Sequence, residues 1–234
     1  MDPTIYVANH STQVSDADMK KGVAACAKQI TQHVAPAYGL APVAVKWLDA
    51  GTTLPTTARV ITVMDELDDP QALGYHTEDG SEHIWGVVGT KVAMDQGAKA
   101  LTGPYSISSI LSHEVAEAFV DPYCSGWFDT GKGYLVAYEC ADPVENDTYL
   151  IDSVGVSNFV TAEWFDPQAA KADRFDYMGH LKAPFTMSKG GYWVQSKAGK
   201  ASQKFGEKMP DWRRQAKKAE FSRGSRRLGD KPAA

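Results

Sequence analysis

The segment SHEVAEAFVDP, residues 112–122, constrains the fold more than any other part of this chain. It reads as a largely apolar helix that carries three ionisable side chains, His113, Glu114 and Glu117. Carboxylates buried without a partner cost several kcal/mol each, so such a helix requires a cation or a basic partner. The alternative interpretation is a solvated polar helix face, on which such residues are common.

The limits of this helix are marked in the sequence. It is expected to start between Tyr105 and Ser109 and to end at Asp121, because Pro122 pushes the preceding residue out of helical geometry.

The spacing of the three side chains is that of a metal-binding helix. His113 and Glu117 are four residues apart and therefore share one helix face, where both can bind one ion. Glu114 points about a quarter-turn away, where it can act as the base for a metal-bound water, as in the H-E-x-x-H motif. Because Glu117 replaces the second histidine, the harder ligand set widens the choice of metal from zinc toward Mn or Ca.

A third ligand must come from another segment. The stretch YECADPVE, residues 138–145, offers three acidic side chains, Glu139, Asp142 and Glu145. Asp121 is a further candidate, although it lies at the helix break and could equally cap the turn there.

The remaining pattern predicts an α+β domain. Asp79-Gly80 lies between two apolar runs and is a strong hairpin signal. Two histidines, His76 and His83, flank that turn. They are expected to lie on an ordinary hairpin surface, and the less favoured alternative is a metal site formed by the two histidines. The other predicted elements are a helix over 16–33 capped by Ser15 and strands within 43–51, 58–66 and 74–90.

Composition and short motifs exclude several classes of protein for this chain. Three cysteines, none in a CxxC pair, argue against a disulfide framework and a cysteine-rich zinc site. The opening residues do not resemble a secretory signal, and no apolar run is long enough to cross a membrane. Phosphate-binding glycine loops and the G-x-S-x-G elbow are lacking, so nucleotide-dependent and serine-hydrolase chemistries are disfavoured.

Charge divides the chain into two parts. Residues 197–234 contain 12 Lys and Arg against 4 Asp and Glu, a balance of +8, so with a net charge of −5 residues 1–196 carry −13. This division predicts a folded, metal-binding domain over 1–196 and a basic C-terminal extension over 197–234. The extension is expected to be disordered except for a helical stretch over 211–221, and it is either a solvated tail or an arm for a partner.

SHEVAEAFVDP, followed by YECADPVE, VSNFV and WFDP, resembles a group of bacterial and tailed-phage proteins. They carry S-H-E-x-x-E-A-x-x-D-P and E-x-x-D motifs and are similar to zincin-like metallopeptidases. The resemblance covers about residues 40–195. It implies a zincin-like fold, in which an active-site helix lies beneath a twisted mixed sheet.

The resemblance also implies roles for individual residues. His113, Glu117 and Asp142 would hold zinc or another divalent metal, with Glu139 and then Asp121 as the next choices for the third ligand. Glu114 would be the catalytic base of a metal-dependent peptidase. The strand before the helix, 83–92, would bind an extended peptide by strand addition.

A second hypothesis of a different class follows from the same group. The chain would be a non-catalytic virion protein, capsid- or tail-associated, with a degenerate or stabilising metal site or none. Its basic extension would contact other virion proteins, an acidic surface or DNA, where Lys and Arg bind phosphates without sequence preference. Under either hypothesis we expect a protein of the virion or host cytoplasm, acting within a larger assembly and not in a membrane.

Overall fold

The computed structural model describes residues 3–55, 57–69, 72–80, 83–207 and 209–216. It shows a mixed α and β fold with three sheets. The strands are β1 (Ile5–Asn9), β2 (Val45–Trp47), β3 (Arg59–Met64), β4 (Gly74–Glu78), β5 (Ile84–Gly89), β6 (Trp127–Asp129), β7 (Leu135–Ala137), β8 (Thr148–Ile151), β9 (Val154–Ser157), β10 (Tyr192–Lys197) and β11 (Lys200–Phe205). The α-helices are α1 (Asp16–Gln29), α2 (Ala35–Tyr38), α3 (Lys91–Asp95), α4 (Ile107–Val120) and α5 (Asp211–Ala216).

The main sheet has five strands in the order β2-β1-β3-β5-β4. The first four run parallel, and β4 pairs antiparallel with β5 as the predicted hairpin. Because β5 pairs with β3 on one side and with β4 on the other, it has no free edge. The prediction that a peptide adds to the strand within 83–92 is therefore wrong.

Helix α4 forms the centre of the molecule. Ser106 caps its start by accepting a hydrogen bond from the backbone N–H of Ser109, and it ends before Asp121, as predicted. All 14 residues of the helix are buried, because α1, the β4–β5 hairpin and β9 pack around it. A buried hydroxyl of the helix forms a hydrogen bond with a neighbouring strand: the Oγ of Ser112 accepts a 2.7 Å hydrogen bond from the backbone N–H of Ser157 in β9.

The predicted first helix is longer and less regular than expected. Ser15 caps it as predicted, but the α-helical turns end at Gln29 and continue as a π-helix over Ile30–Val34. Helix α2 follows directly and stops at Gly39, whose φ of 61° is the left-handed conformation that glycine adopts without strain.

The predicted strands within 43–51 and 58–66 are present as β2 and β3. Strand β1 was not predicted from the sequence, although it lies between them at the centre of the parallel sheet. The strand is only 5 residues long, with four apolar residues before Asn9, and no turn signal in the sequence marks it as a strand.

The division of the chain at residues 196 and 197 falls within β10. Strand β11 pairs with β10 in a four-stranded sheet of order β11-β10-β7-β6, and α5 follows, inside the range predicted to be helical. The first part of the predicted basic extension thus belongs to the folded domain. Residues 217–234 lie outside the described residues, and their role as an arm stays a prediction. No helix of the described part of the chain has the length and apolar character to cross a membrane.

Candidate metal centre

The buried face of α4 holds the first two predicted ligands. His113 and Glu117 lie one turn apart, with 3.2 Å between the imidazole Nε2 and the carboxylate Oε1. Both side chains are enclosed by the protein, with 7% and 0% of their surfaces exposed. The four-residue spacing seen in the sequence thus brings both groups to one point in the interior.

Asp142 reaches the same point from a separate segment. After β7 the chain forms a 3₁₀ turn over Asp142–Val144, which directs the fully buried Asp142 carboxylate toward α4. Its Oδ1 lies 3.2 Å from Nε2 of His113. The structure therefore brings together the three residues that were predicted to hold a metal, and one potential ligand atom from each lies within 4.8 Å of the others.

The other acidic candidates occupy different positions. Asp121 accepts hydrogen bonds from the backbone N–H groups of Ser125 and Gly126, so it caps the turn after α4. Glu145 is paired with Arg213 of α5. Glu139 is buried and lies close enough to Glu117 for both carboxylates to bind one ion. The histidine that completes this group is His76 and not His113.

Glu114, the predicted base, is also buried. It lines a small pocket together with His113, Gly74 and Ser109, and this pocket has room for about one water molecule. Gly74 of β4 packs directly on the Glu114 side chain, since a Cβ on that glycine would lie 2.8 Å from Oε1. The base candidate is thus held between its own helix and the outer strand of the sheet.

The interior of this site favours positive charge. Burial raises the pKa of the Glu117 carboxyl above its usual value; the imidazole of His113 opposes this rise, and the charges of Glu139 and Asp142 add to it. Burial alone lowers the pKa of His113, but the carboxylates of Glu117 and Asp142 outweigh burial and hold that pKa well above its usual value. The converging carboxylates thus stabilise positive charge at this point, whether it is carried by the imidazole or by a bound cation.

His76 is the residue that sequence reasoning missed. The sequence predicts a position on the hairpin surface, whereas the side chain is completely buried on β4, with Nε2 3.1 Å from the backbone oxygen of Asp121. His83, by contrast, lies at the surface, 3.3 Å from Asp79, so the two histidines form no common site. A two-residue alternation would bury either Tyr75 or His76, and both are buried. The burial of His76 comes from its packing against α4 and the turn after it, which the local sequence does not reveal.

The donor set of His113, Glu117 and Asp142 fits a divalent cation. Imidazole nitrogen and carboxylate oxygen are ligands that zinc accepts, and two ligand atoms about 2.1 Å from one tetrahedral ion lie about 3.4 Å apart. The observed separations of 3.2 Å from His113 Nε2 to Glu117 Oε1 and to Asp142 Oδ1 are close to that value.

Comparisons of the chain with protein-family models, with curated proteins and with solved structures found no match.

Proposed function

We propose that the protein is a metal-dependent hydrolase of the peptidase type. His113, Glu117 and Asp142 hold a divalent cation, with zinc as the first choice, and Glu114 acts as the general base. The observation that carries this proposal is the convergence of three buried ligand side chains from two separate segments. The imidazole of His113 lies 3.2 Å from each of the two ligand carboxylates, and a third carboxylate, that of Glu114, lines a pocket beside them.

The roles divide between binding and proton transfer. When bound, the cation supplies a water molecule whose pKa is lowered to about 7. Glu114 would accept a proton from the attacking water and donate it to the amine nitrogen that is released when the peptide C–N bond breaks. Its neighbour Gly74 has no side chain that would push the carboxylate away from the pocket.

The outer strand of the main sheet supports a peptide as substrate. Strand β4 is an edge strand of the main sheet, and among the described edge strands of that sheet it is the one that packs against α4, so we assign it as the strand that an extended peptide would join. Gly74 and His76 of β4 lie beside Glu114 of α4. A substrate peptide paired with β4 would therefore have a peptide bond close to Glu114. The zincin-like fold implied by the sequence motifs is part of this proposal, and the mixed sheet with α4 packed against it is consistent with such a fold.

The test combines metal content with turnover. Purified wild-type protein is expected to contain zinc or another divalent metal, and His113→Ala is expected to lose the ion of this site, as measured by elemental analysis. His180→Ala is the matched control, because that imidazole is exposed and lies 3.0 Å from Asp147. The control should keep the metal content of the wild type, and an unchanged metal content in His113→Ala would contradict the ligand assignment.

Cleavage of a peptide library then decides between enzyme and structural protein. Glu114→Gln is expected to keep the metal and to lose about 10²–10⁴-fold in turnover, the usual contribution of a general base. A wild-type protein that holds its metal without cleaving any peptide would instead favour the non-catalytic virion protein, in which the ion only stabilises the fold.

A further inference from the structure

We infer that His76, Glu117 and Glu139 form a second cation site, which shares the Glu117 carboxylate with the first. This inference rests on the proposed function, because Glu117 is also a ligand of the ion held by His113 and Asp142. The side chains of all three residues are buried, and one potential ligand atom from each lies within 4.8 Å of the others.

The imidazole of His76 is oriented as that of a metal ligand would be. Its Nε2 donates to the backbone oxygen of Asp121 at 3.1 Å, which leaves Nδ1 as the nitrogen that presents a lone pair. Metal-binding histidines are held in this way, with the other ring N–H bound to a backbone carbonyl or a carboxylate. Nδ1 is fully buried and has no hydrogen-bond partner within the part of the chain that the structure describes.

Nδ1 of His76 faces carboxylates at a distance that suits an ion. The Oε2 of Glu114 lies 3.7 Å away and the Oε2 of Glu117 lies 3.9 Å away. Both distances exceed that of a direct hydrogen bond and lie within the range of an ion pair with a positive charge. Ligand atoms that surround a shared cation lie at separations of about 3–4 Å.

Glu117 is placed to bridge two ions. Its Oε1 faces His113 at 3.2 Å, while its Oε2 faces His76 at 3.9 Å. The carboxylate is held by the backbone N–H of Ala141, which donates to Oε1 at 3.2 Å. One oxygen is thus directed to each candidate position, as in two-metal sites whose ions lie about 3.5–4 Å apart.

The charges of the cluster agree with two ions. Its four carboxylates, from Glu114, Glu117, Glu139 and Asp142, are all buried. Among these side chains, one divalent cation beside two neutral imidazoles leaves two negative charges, whereas a second divalent cation brings the cluster to neutrality. Nitrogen and oxygen donors of this kind select ions of the Zn, Mn or Co class.

A second ion would extend the chemistry of the same site. In two-metal hydrolases the paired ions stabilise both the attacking and the leaving atoms. Here the second position lies on the side of His76, and therefore next to the outer strand β4. It would bind a carbonyl oxygen of a peptide aligned along that strand.

The number of ions bound per chain tests the inference. After removal of metal, titration with Zn²⁺ or Co²⁺ is expected to give two ions for wild type, one for His76→Ala and one for His113→Ala. With ¹¹³Cd²⁺, wild type is expected to give two resonances and each variant one. His83→Ala, on the same hairpin but at the surface, is the matched control and should keep two.

The outcomes separate this inference from the proposed function. One ion in wild type, unchanged in His76→Ala but lost in His113→Ala, would overturn the second site and leave the first intact. The reverse pattern, loss only in His76→Ala, would overturn the first ligand set. Circular dichroism checks that each variant is folded, and His76→Gln, which keeps more of the side-chain volume, replaces His76→Ala if that variant unfolds.

Discussion

Nε2 of His113 lies 3.2 Å from Oε1 of Glu117, one helical turn further along α4. The same nitrogen lies 3.2 Å from Oδ1 of Asp142, which belongs to a different segment. A single N–H cannot make a well-directed hydrogen bond to both oxygens, whereas a cation placed among the three atoms interacts with all of them. This relationship leads to predictions about stability as well as activity.

Removal of metal should destabilise the protein. Any ligand that binds only the folded state adds stability, about 2.7 kcal/mol when its concentration is 100 times its dissociation constant. Thermal unfolding with a chelator is therefore expected to give a lower Tm than unfolding with added Zn²⁺. Glu117→Ala, which removes the shared ligand, should make the two curves coincide. Identical curves for the wild-type protein would contradict a site occupied in solution.

A methyl group on Gly74 should disturb Glu114 without removing the metal ligands. The added Cβ would lie 2.8 Å from Glu114 Oε1 and 3.0 Å from the backbone oxygen of Val87, so the carboxylate must shift. Gly74→Ala is expected to reduce turnover at least about tenfold, which corresponds to about 1.4 kcal/mol in the barrier, and to leave the metal content unchanged.

The matched control for Gly74→Ala is Gly22→Ala in α1. The nearest atoms to a Cβ on Gly22 are 3.6 Å away, which is ordinary van der Waals contact. Its activity and stability should remain close to those of the wild type. Full activity in Gly74→Ala would show that Glu114 has more freedom than its packing indicates.

Asp65 should make stability depend on acid pH. Hydrogen bonds from Ser11 and Thr12, which outweigh a small effect of burial, lower the pKa of the Asp65 carboxyl from 3.8 to about 2. Because the folded-state pKa is the lower one, the stabilisation is complete above about pH 4 and is lost as the pH falls toward 2. Asp65→Asn is expected to lower the free energy of unfolding at pH 7 by about 1 kcal/mol, after allowance for solvent screening.

The pH dependence of the Asp65 variant is the informative measurement. Urea unfolding at pH 7 and at pH 2 should show a difference between wild type and variant only at the higher pH. Glu66→Gln changes the exposed neighbouring carboxylate and should leave the wild-type pH dependence in place. An equal loss of stability at both pH values would mean that the hydrogen bonds do not depend on the charge.

The pair of Glu145 and Arg213 should hold the end of the described chain on the domain. Both side chains are almost fully buried, and Arg213 donates from Nε to Glu145 Oε1 at 3.2 Å as well as from its terminal nitrogen. Glu145→Ala leaves a buried guanidinium without this partner and is expected to cost about 3–5 kcal/mol.

Chemical denaturation measures this cost, and the double variant Glu145→Ala, Arg213→Met provides the control. Since the double variant also removes the buried charge, it should recover part of the lost stability. A loss below about 0.5 kcal/mol in the single variant would contradict a tightly packed C-terminal segment.

Local signals allowed the central helix and the hairpin to be predicted from the sequence. Pro122 fixed the end of α4, and Asp79-Gly80 fixed the turn between β4 and β5. The approach of Asp142 to His113 was also anticipated, but on the basis of motifs and not of geometry. These features depend on turn residues and on side-chain spacing, both of which are visible within a short window.

Features that depend on distant parts of the chain could not be predicted. His76 is buried because α4 and the turn after it cover its side chain, and these contacts join residues far apart in sequence. Strand β1 becomes central only through pairing with β2 and β3, and β5 loses its free edge through pairing on both sides. Arg213 looked like part of a charged tail, whereas it is enclosed in the structure by its contact with Glu145.

The burial of α4 on every side limits how this sequence can vary. A surface helix tolerates many substitutions along its exposed stripe, and α1 has such a stripe, with exposed residues between its buried ones. Helix α4 has none, since each position from Ile107 to Val120 is enclosed. In a saturation-mutagenesis experiment, tolerance along α1 should therefore rise and fall with the helical period, while α4 should reject most changes of size or charge throughout.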